Sequence, residues 1–257
     1  MKNFKSSIIV VLLLAAISCK KDNSTTGTVT TDAVADMAAG SLASNSNGVA
    51  SLTDAIGANA QAVTSIGTGQ TINSIGVASV KQACGTTLAD SATNAGSADS
   101  VTWSYFVKYT HTLNCNANEA PDNIVNTLAF HGDYSGPNIS TTGTGTANAT
   151  IAGLTVNATN FVINGEYKRA GSFTSKVGNK ASGNSNVDIT LTNVTLSKPE
   201  RKITGGTGTI SVTGTSPKGS FSFTGTIVFN GDGTATLTVS DASYTIDLHT
   251  GFRVRKH

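Results

Sequence analysis

The sequence predicts a mainly β fold, an antiparallel meander of hairpins forming a strongly curved barrel or sandwich, with two short N-terminal helices packed on it. Three observations carry this. From Val101 onward the apolar residues recur with period two, the spacing of a strand with one buried face. Short Gly-, Asn-, Asp- and Ser-rich stretches separate the alternating runs, which makes consecutive strands antiparallel neighbours. Glycine recurs inside the runs, at Gly153, Gly165, Gly205, Gly206, Gly208, Gly214 and Gly225, where it weakens a flat strand but permits bulges and coiling.

The chain begins with an export signal. Lys2 and Lys5 give a basic start, Ile8 to Ala16 an apolar stretch, and Leu14-Ala15-Ala16-Ile17-Ser18-Cys19 a small-residue cleavage region. About ten apolar residues are too few to span a bilayer. A cysteine at the end of such a stretch predicts cleavage after residue 18 and acylation of Cys19. Two or more acyl chains would anchor stably where one holds only marginally. The run Ser18-Cys19-Lys20-Lys21-Asp22 resembles the lipoprotein signals of Bacteroidota. That resemblance implies a lipid anchor in the bacterial cell envelope, at the outer membrane, facing the surface or the periplasm.

Residues 19–30, rich in Ser, Thr, Asn and Lys, read as a flexible tether. Over 31–66 the spacing turns helical: Val34, Met37, Ala38 and Leu42, then Leu52, Ile56, Val63 and Ile66. Thr30 or Thr31 caps the first helix, Asn45-Ser46-Asn47-Gly48 ends it, and Ser51 with Asp54 reads as a capping box for the second. Their faces are mostly Ala and Val, and helices this short are marginal in water, so they must dock on something else. Residues 67–100 hold few large side chains and read as irregular connection.

The β domain spans 101–257. Its first strand alternates Trp103, Tyr105, Val107, Tyr109, His111, Leu113 and Cys115 on one face. Further alternating runs hold Phe161 and Ile163; Val187, Ile189 and Leu191; Ile210 and Val212; Phe221, Phe223, Ile227 and Phe229; Ala235, Leu237 and Val239; and Tyr244, Ile246 and Leu248. Val194 and Leu196 slip phase against Leu191, which predicts a β-bulge at Thr192 and Asn193. Ser216-Pro217-Lys218-Gly219, Asn230-Gly231-Asp232-Gly233 and Ser240-Asp241-Ala242-Ser243 are the legible hairpin turns. With only 15 aromatic residues in the chain, a wide sandwich would be under-filled.

Charge narrows the function classes. Removing residues 1–18 takes Lys2 and Lys5 and leaves 15 basic against 15 acidic residues. A formally neutral domain lacks the basic face that replaces counterions around phosphates, so nucleic acid is not an expected partner. Arg253, Arg255 and Lys256 read as a solvated tail, and Arg169 as the partner of a local acid on the exposed face. Cys84 and Cys115, exported to an oxidising compartment, are expected to form a disulfide.

Chemistry-bearing patterns are sparse. His111, His131, His249 and His257 sit in no compact ligand spacing, and no nucleophile elbow or phosphate loop is present. Glu119, Asp122 and Asp133, in a Pro-containing loop after Cys115, are the nearest group of acids that could flank a substrate; with His111 and Asp247 they are the candidates for a hydrolase. No metal or cofactor is implied. Trp103, Tyr105 and Tyr109 form an aromatic stripe that reads as core face, or as a platform for a glycan. Phe161, Phe221, Phe223 and Phe229 could line a cavity for an apolar ligand. Asp90-Ser91-Ala92 and Asp99-Ser100-Val101 are similar to the O-glycosylation acceptor pattern of Bacteroidota, with Ser91 and Ser100 as acceptors.

Residues 31–251, above all Gly40-Ser41-Leu42-Ala43-Ser44-Asn45-Ser46 and Tyr244-Thr245-Ile246-Asp247-Leu248-His249-Thr250-Gly251, resemble a family of Bacteroidota lipoproteins. The resemblance implies an envelope compartment and a β-rich fold and carries no site residues. Together these readings point to a non-catalytic cell-envelope or surface lipoprotein with a binding or scaffolding role. The alternatives are a carrier of a lipid or other apolar ligand in a concave sheet, and a hydrolase of envelope polymers. The expected partners are the membrane, through the N-terminal lipid, and a glycan, an apolar ligand or an envelope protein.

Overall fold

The computed structural model describes residues 28–65, 82–98 and 100–256. The signal region, Cys19 and most of the tether lie outside the described residues. Helices α1 (Thr31–Leu42) and α2 (Val49–Ser65), joined through a 3₁₀ turn at Ser44–Ser46, precede eleven strands. These are β1 (Thr87–Ala98), β2 (Val101–Cys115), β3 (Pro121–Ser135), β4 (Ile139–Ala152), β5 (Asn160–Ser175), β6 (Ser182–Ser197), β7 (Ile203–Ser216), β8 (Gly219–Phe229), β9 (Thr234–Val239), β10 (Ala242–Asp247) and β11 (Arg253–Arg255). All pair antiparallel in sequence order as one sheet whose ends, β1 and β11, do not pair with each other. The predicted meander is present, and its curvature produces an open wrap around the helices. Helix α1 touches β4 to β7 on one side and β9 to β11 on the other.

Four strands lay hidden in the sequence, one of them β11, in the stretch read as a solvated tail. The 67–100 stretch read as irregular contains β1, and the loop assigned to Asp122 and Asp133 is strand β3, followed by β4. Strand β4 carries Gly143, Gly145, Ala147 and Ala149 on its inner face, so its apolar alternation is faint. The bulk it lacks comes from its neighbours. Four glycines each sit directly across a strand pair from an aromatic residue: Gly96 from Trp103, Gly132 from Tyr105, Gly145 from Phe130 and Gly214 from Phe221. In each pair the ring lies where a Cβ on the glycine would stand; at Gly145 that Cβ would meet the Phe130 ring at 2.1 Å.

One cross-strand row on the inner face runs Tyr105, Gly132, Gly143, Gly171, Ser185, Gly214, Phe221. Its five small members form a trench across β3 to β7, about 19 Å long at strand spacing. Helix α1, about 18 Å long, touches four of those strands, with the 3₁₀ turn reaching β2 and β3. Met37 and Ser41 border the trench at Gly171 and Ser185. Ala33 to Leu42 are all buried, as expected of a helix that is apolar or small on every side.

Thr30 caps α1, accepting from Ala33 N at 3.2 Å. The capping box predicted at Ser51 and Asp54 is not the start of α2, which begins two residues earlier at Val49. Gly48 makes that early start possible, because a Cβ there would lie 2.5 Å from the Ser41 carbonyl oxygen, and Asp54 turns instead to Arg201. The predicted bulge is present: β6 loses register against β7 between Thr192 and Thr195, with Asn193 at a positive φ of 50°. The three predicted hairpin turns separate β7 from β8, β8 from β9, and β9 from β10.

Two basic residues depart from their sequence reading. Arg253 is no solvated tail: its Nε and Nη2 donate to Asp36 of α1 at 2.6 and 3.0 Å, with the Asp36 side chain only 2% exposed. Arg169 is buried inside the wrap, donating to the carbonyls of Gly40 and Ser46 and, at 2.7 Å, to Thr141 Oγ1. It meets the C-terminal end of α1, where unpaired carbonyls attract a cation. The segments 40–46 and 244–251 also meet: Ser44 N donates to Leu248 O at 2.8 Å and Asn45 N to His249 O at 3.2 Å.

Removing one partner of a buried ion pair leaves the other charge uncompensated. Asp36→Asn is therefore expected to cost about 3–5 kcal/mol, whereas Asp54→Asn, which breaks a half-exposed pair with Arg201, costs less than about 1 kcal/mol. Urea unfolding of both variants checks the contrast.

Candidate functional site

Helix α2 spans the inner face beside β1 to β5 and leaves a cleft of about 230 Å³ beneath it. Leu52 and Ile56 from the helix face Val107 of β2 and Leu128 and Phe130 of β3, with Ala147 and Tyr167 at the back. The lining is mostly apolar because the period-two alternation delivers every second residue of β2 and β3 to this face. Small residues leave the space open: Ala55 and Ala58 on α2, Ala92 on β1 and Ala147 on β4. The volume lies below the range of about 300–1,000 Å³ common for drug-sized ligands, so the cleft fits a short apolar segment.

Polar groups gather at its edges. Arg201 donates to Asp54 Oδ1 at 2.9 Å and to Gln61 Oε1 at 3.0 Å, tying the β6–β7 turn to α2. Its charge is thereby neutralised at the cleft. Asn59, Asn94 and Asn126 contribute amides to the lining. Tyr109 donates from its hydroxyl to Asp90 Oδ2 at 3.1 Å. Burial, with that hydrogen bond and the carboxylate charge, pushes the Tyr109 phenol up to about 12. Tyr167 donates to the Asn47 carbonyl at 3.2 Å, and its phenol is raised by burial.

The aromatic stripe of β2 divides. Tyr105 is core, its hydroxyl buried with no hydrogen-bond partner among the described residues. Trp103 is half-buried over Gly96 and donates to Asn94 Oδ1 at 3.3 Å. Only Tyr109 lines the cleft. The phenylalanine cavity is not formed: Phe161 and Phe229 are buried in the core, and Phe221 packs edge-on against Phe173 at 5.9 Å. The apolar recess lies instead against β2 and β3, on residues whose burial in the sequence pattern looked like ordinary core.

The acids and histidines are spread over the fold. Glu119 sits in the β2–β3 turn at a positive φ of 58°. Asp122 accepts from Asn123 Nδ2, and Asp133, exposed, accepts from Thr142 Oγ1. Asp247 Oδ1 accepts from the backbone of His249 and Thr250. The His131 ring meets that of Phe106 at a tilt of 42° on the outer face, while His111 is buried on the inner face with its Nδ1 unpartnered among the described residues. Among the described residues, no three His, Cys, Asp or Glu side chains gather as a metal site. Asp232 accepts from Thr234 N and Oγ1, which accounts for the Asn230–Gly233 turn without a cation.

Cys84 and Cys115 lie at disulfide distance, with Cα atoms 5.6 Å apart. In the chain-entropy account, such a link would restrain the unfolded chain by about 3–4 kcal/mol. Ser91 on β1 and Ser100 in the β1–β2 turn are both exposed. No described helix is long and apolar enough to cross a membrane. Compared with protein families, curated proteins and solved structures, the chain matches none.

Burial holds the His111 imidazole below the ordinary histidine range, partly offset by the carboxylate of Asp90. A base whose folded pKa is depressed binds its proton more weakly when folded. Its stability contribution is whole above the unfolded value of about 6.5 and declines as pH falls below it. The melting temperature should therefore drop between pH 7.5 and pH 5, and His111→Gln should flatten that drop. An equal drop in the variant would assign the acid sensitivity to other groups.

Proposed function

We propose that the chain is a lipid-anchored, non-catalytic binding protein of the bacterial cell envelope, and that the cleft under α2 receives the apolar part of its ligand. The observation that carries the binding role is the cleft itself: an apolar recess between a helix and an open sheet, with amides and tyrosines at its edges and its one arginine neutralised by Asp54. Convergent polar groups around an apolar pocket are the usual form of a small-molecule site. The dispersal of His111, Glu119, Asp122, Asp133 and Asp247, each on a different element or in a separate local bond, favours binding over hydrolysis, because catalysis needs titratable groups gathered in one cleft.

The anchor rests on the Leu14–Cys19 signal and the adjoining Lys20-Lys21-Asp22. Metabolic labelling with a fatty-acid probe is expected to mark the native chain and to fail with Cys19→Ala, which should also leave the membrane fraction. Persistent labelling of that variant would remove the anchor from the account.

For the cleft, an environment-sensitive naphthalene sulfonate dye titrated into the Cys19→Ala chain without detergent should brighten and saturate at one equivalent. Ala55→Phe, which places a ring in the cleft from the half-buried side of α2, is expected to weaken that binding at least tenfold while leaving the melting temperature within a few degrees. Undiminished dye binding in a folded Ala55→Phe chain would exclude the cleft as the site.

A further inference from the structure

The outer face of the sheet carries a second depression, a trough of about 660 Å³ crossing β2 to β6. Two adjacent cross-strand rows build it. One runs Phe106, His131, Thr144, Ala170, Asn186, and the other Lys108, Ala129, Thr146, Lys168, Asp188. The rows span four strand spacings, about 19 Å. Ala129 and Ala170 leave the floor low, while rings stand at one end and a charged group at the other.

The Phe106 ring is half-buried on the solvent side of β2, where its neighbours Ser104 and Lys108 are exposed. It contacts the His131 ring at 5.4 Å between centroids, with Lys108 Nζ 5.9 Å from its own centroid. Beyond the rings come hydroxyls, an amide, an amine and a carboxylate in register. Lys168 is paired with Glu166 at 3.1 Å, and Asp188 stands beside it in the row. The far end therefore presents both signs of charge, its lysine paired, and at the near end Lys108 sits at the Phe106 ring. A protein interface would bring an apolar, aromatic-rich centre, and beyond the Phe106 end this trough offers Ala, Thr, Asn and charged groups.

We propose that this trough is a carbohydrate-binding site for a short oligosaccharide. A pyranose has an apolar C–H face and a rim of hydroxyls. The face lies on the Phe106–His131 rings, and the hydroxyls of following units meet Thr144 and Thr146 on β4 and Asn186 and Asp188 on β6, two strands that lie two spacings, about 9.6 Å, apart, close to the length of two sugar rings. The site is separate from the cleft, which opens on the opposite face of the same sheet, and does not depend on it.

The test is retention of the full chain, purified in a zwitterionic detergent so that no sugar headgroup competes, on an immobilised panel of neutral and uronic-acid tri- to hexasaccharides. Titration of any retained saccharide follows. At least one member is expected to bind. Phe106→Ala and Ala170→Trp should each lower its affinity at least tenfold, with melting temperatures near that of the parent, and Phe106→Tyr should keep it. Ala170→Trp fills the exposed floor without touching the core, so it answers the question even where Phe106→Ala fails to fold. Retention of nothing on the panel, or unchanged affinity in the Ala170→Trp chain, would overturn the site. Unchanged glycan affinity in Ala55→Phe is the expected sign that the two sites are independent.

Discussion

A helix buried on every side must have its polar groups answered by the protein that surrounds it, and α1 sets this condition for the whole fold. Its carboxylate Asp36 is closed off from water and held by Arg253 from the last strand. Tyr244 of β10 donates to Asp32 at 2.7 Å. Its C-terminal carbonyl at Gly40, and that of Ser46 just beyond, accept from Arg169 of β5. The partners come from the middle and the far end of an open sheet, so α1 ties β5 to β10 and β11 across the interior. A closed barrel would hold its strands together through its own ladder; in this open sheet the interior helix adds long-range links between strands.

The sheet can wrap so tightly because register pairs glycine with aromatic residues. A flat ring laid over a glycine occupies the volume of two side chains while letting strands coil, and the trench of Gly132, Gly143, Gly171, Ser185 and Gly214 lets the α1 backbone approach. This also resolves how a chain with 15 aromatic residues fills an eleven-stranded sheet. The core joins the helices, the aliphatic inner faces of the strands and rings laid over glycine, with small side chains at the points of closest approach.

The same device explains what the sequence revealed and what it hid. Strands β2 and β6 to β10 were legible because Leu113, Ile189, Leu237 and their neighbours alternate plainly, and the turns between β7 and β10 carry their own Gly, Pro and Asp signatures. Strand β4 was not legible, because Gly143, Gly145 and Ala147 are inward residues only in relation to Phe130 and Gly171 on other strands. Arg169 and Arg253 misled for a related reason. Their partners lie 129 and 217 residues away, and nothing local marks a long-range buried bond. The cleft was half legible. Tyr109 stood out as an aromatic on an alternating strand, but Val107, Leu128 and Phe130 differ from core residues only in what α2 fails to cover.

That failure follows from how unequally the two helices are bedded. Helix α1 lies in a trench of small residues and touches strands on both sides. Helix α2 touches β3 to β5, the 3₁₀ turn and α1. At Gly57 it approaches Leu196 and Arg201 so closely that a Cβ would meet Leu196 at 2.9 Å. Pinned against the β6–β7 turn there and by Arg201 to Asp54 and Gln61, α2 stands off from β2. Its small residues Ala55 and Ala58 do not reach Val107 or Ala147 in a way that would fill the gap. A recess with apolar walls therefore persists beside a tightly packed interior. Closing it would require either a larger side chain on α2 or a ligand, and the chain supplies alanine at those positions.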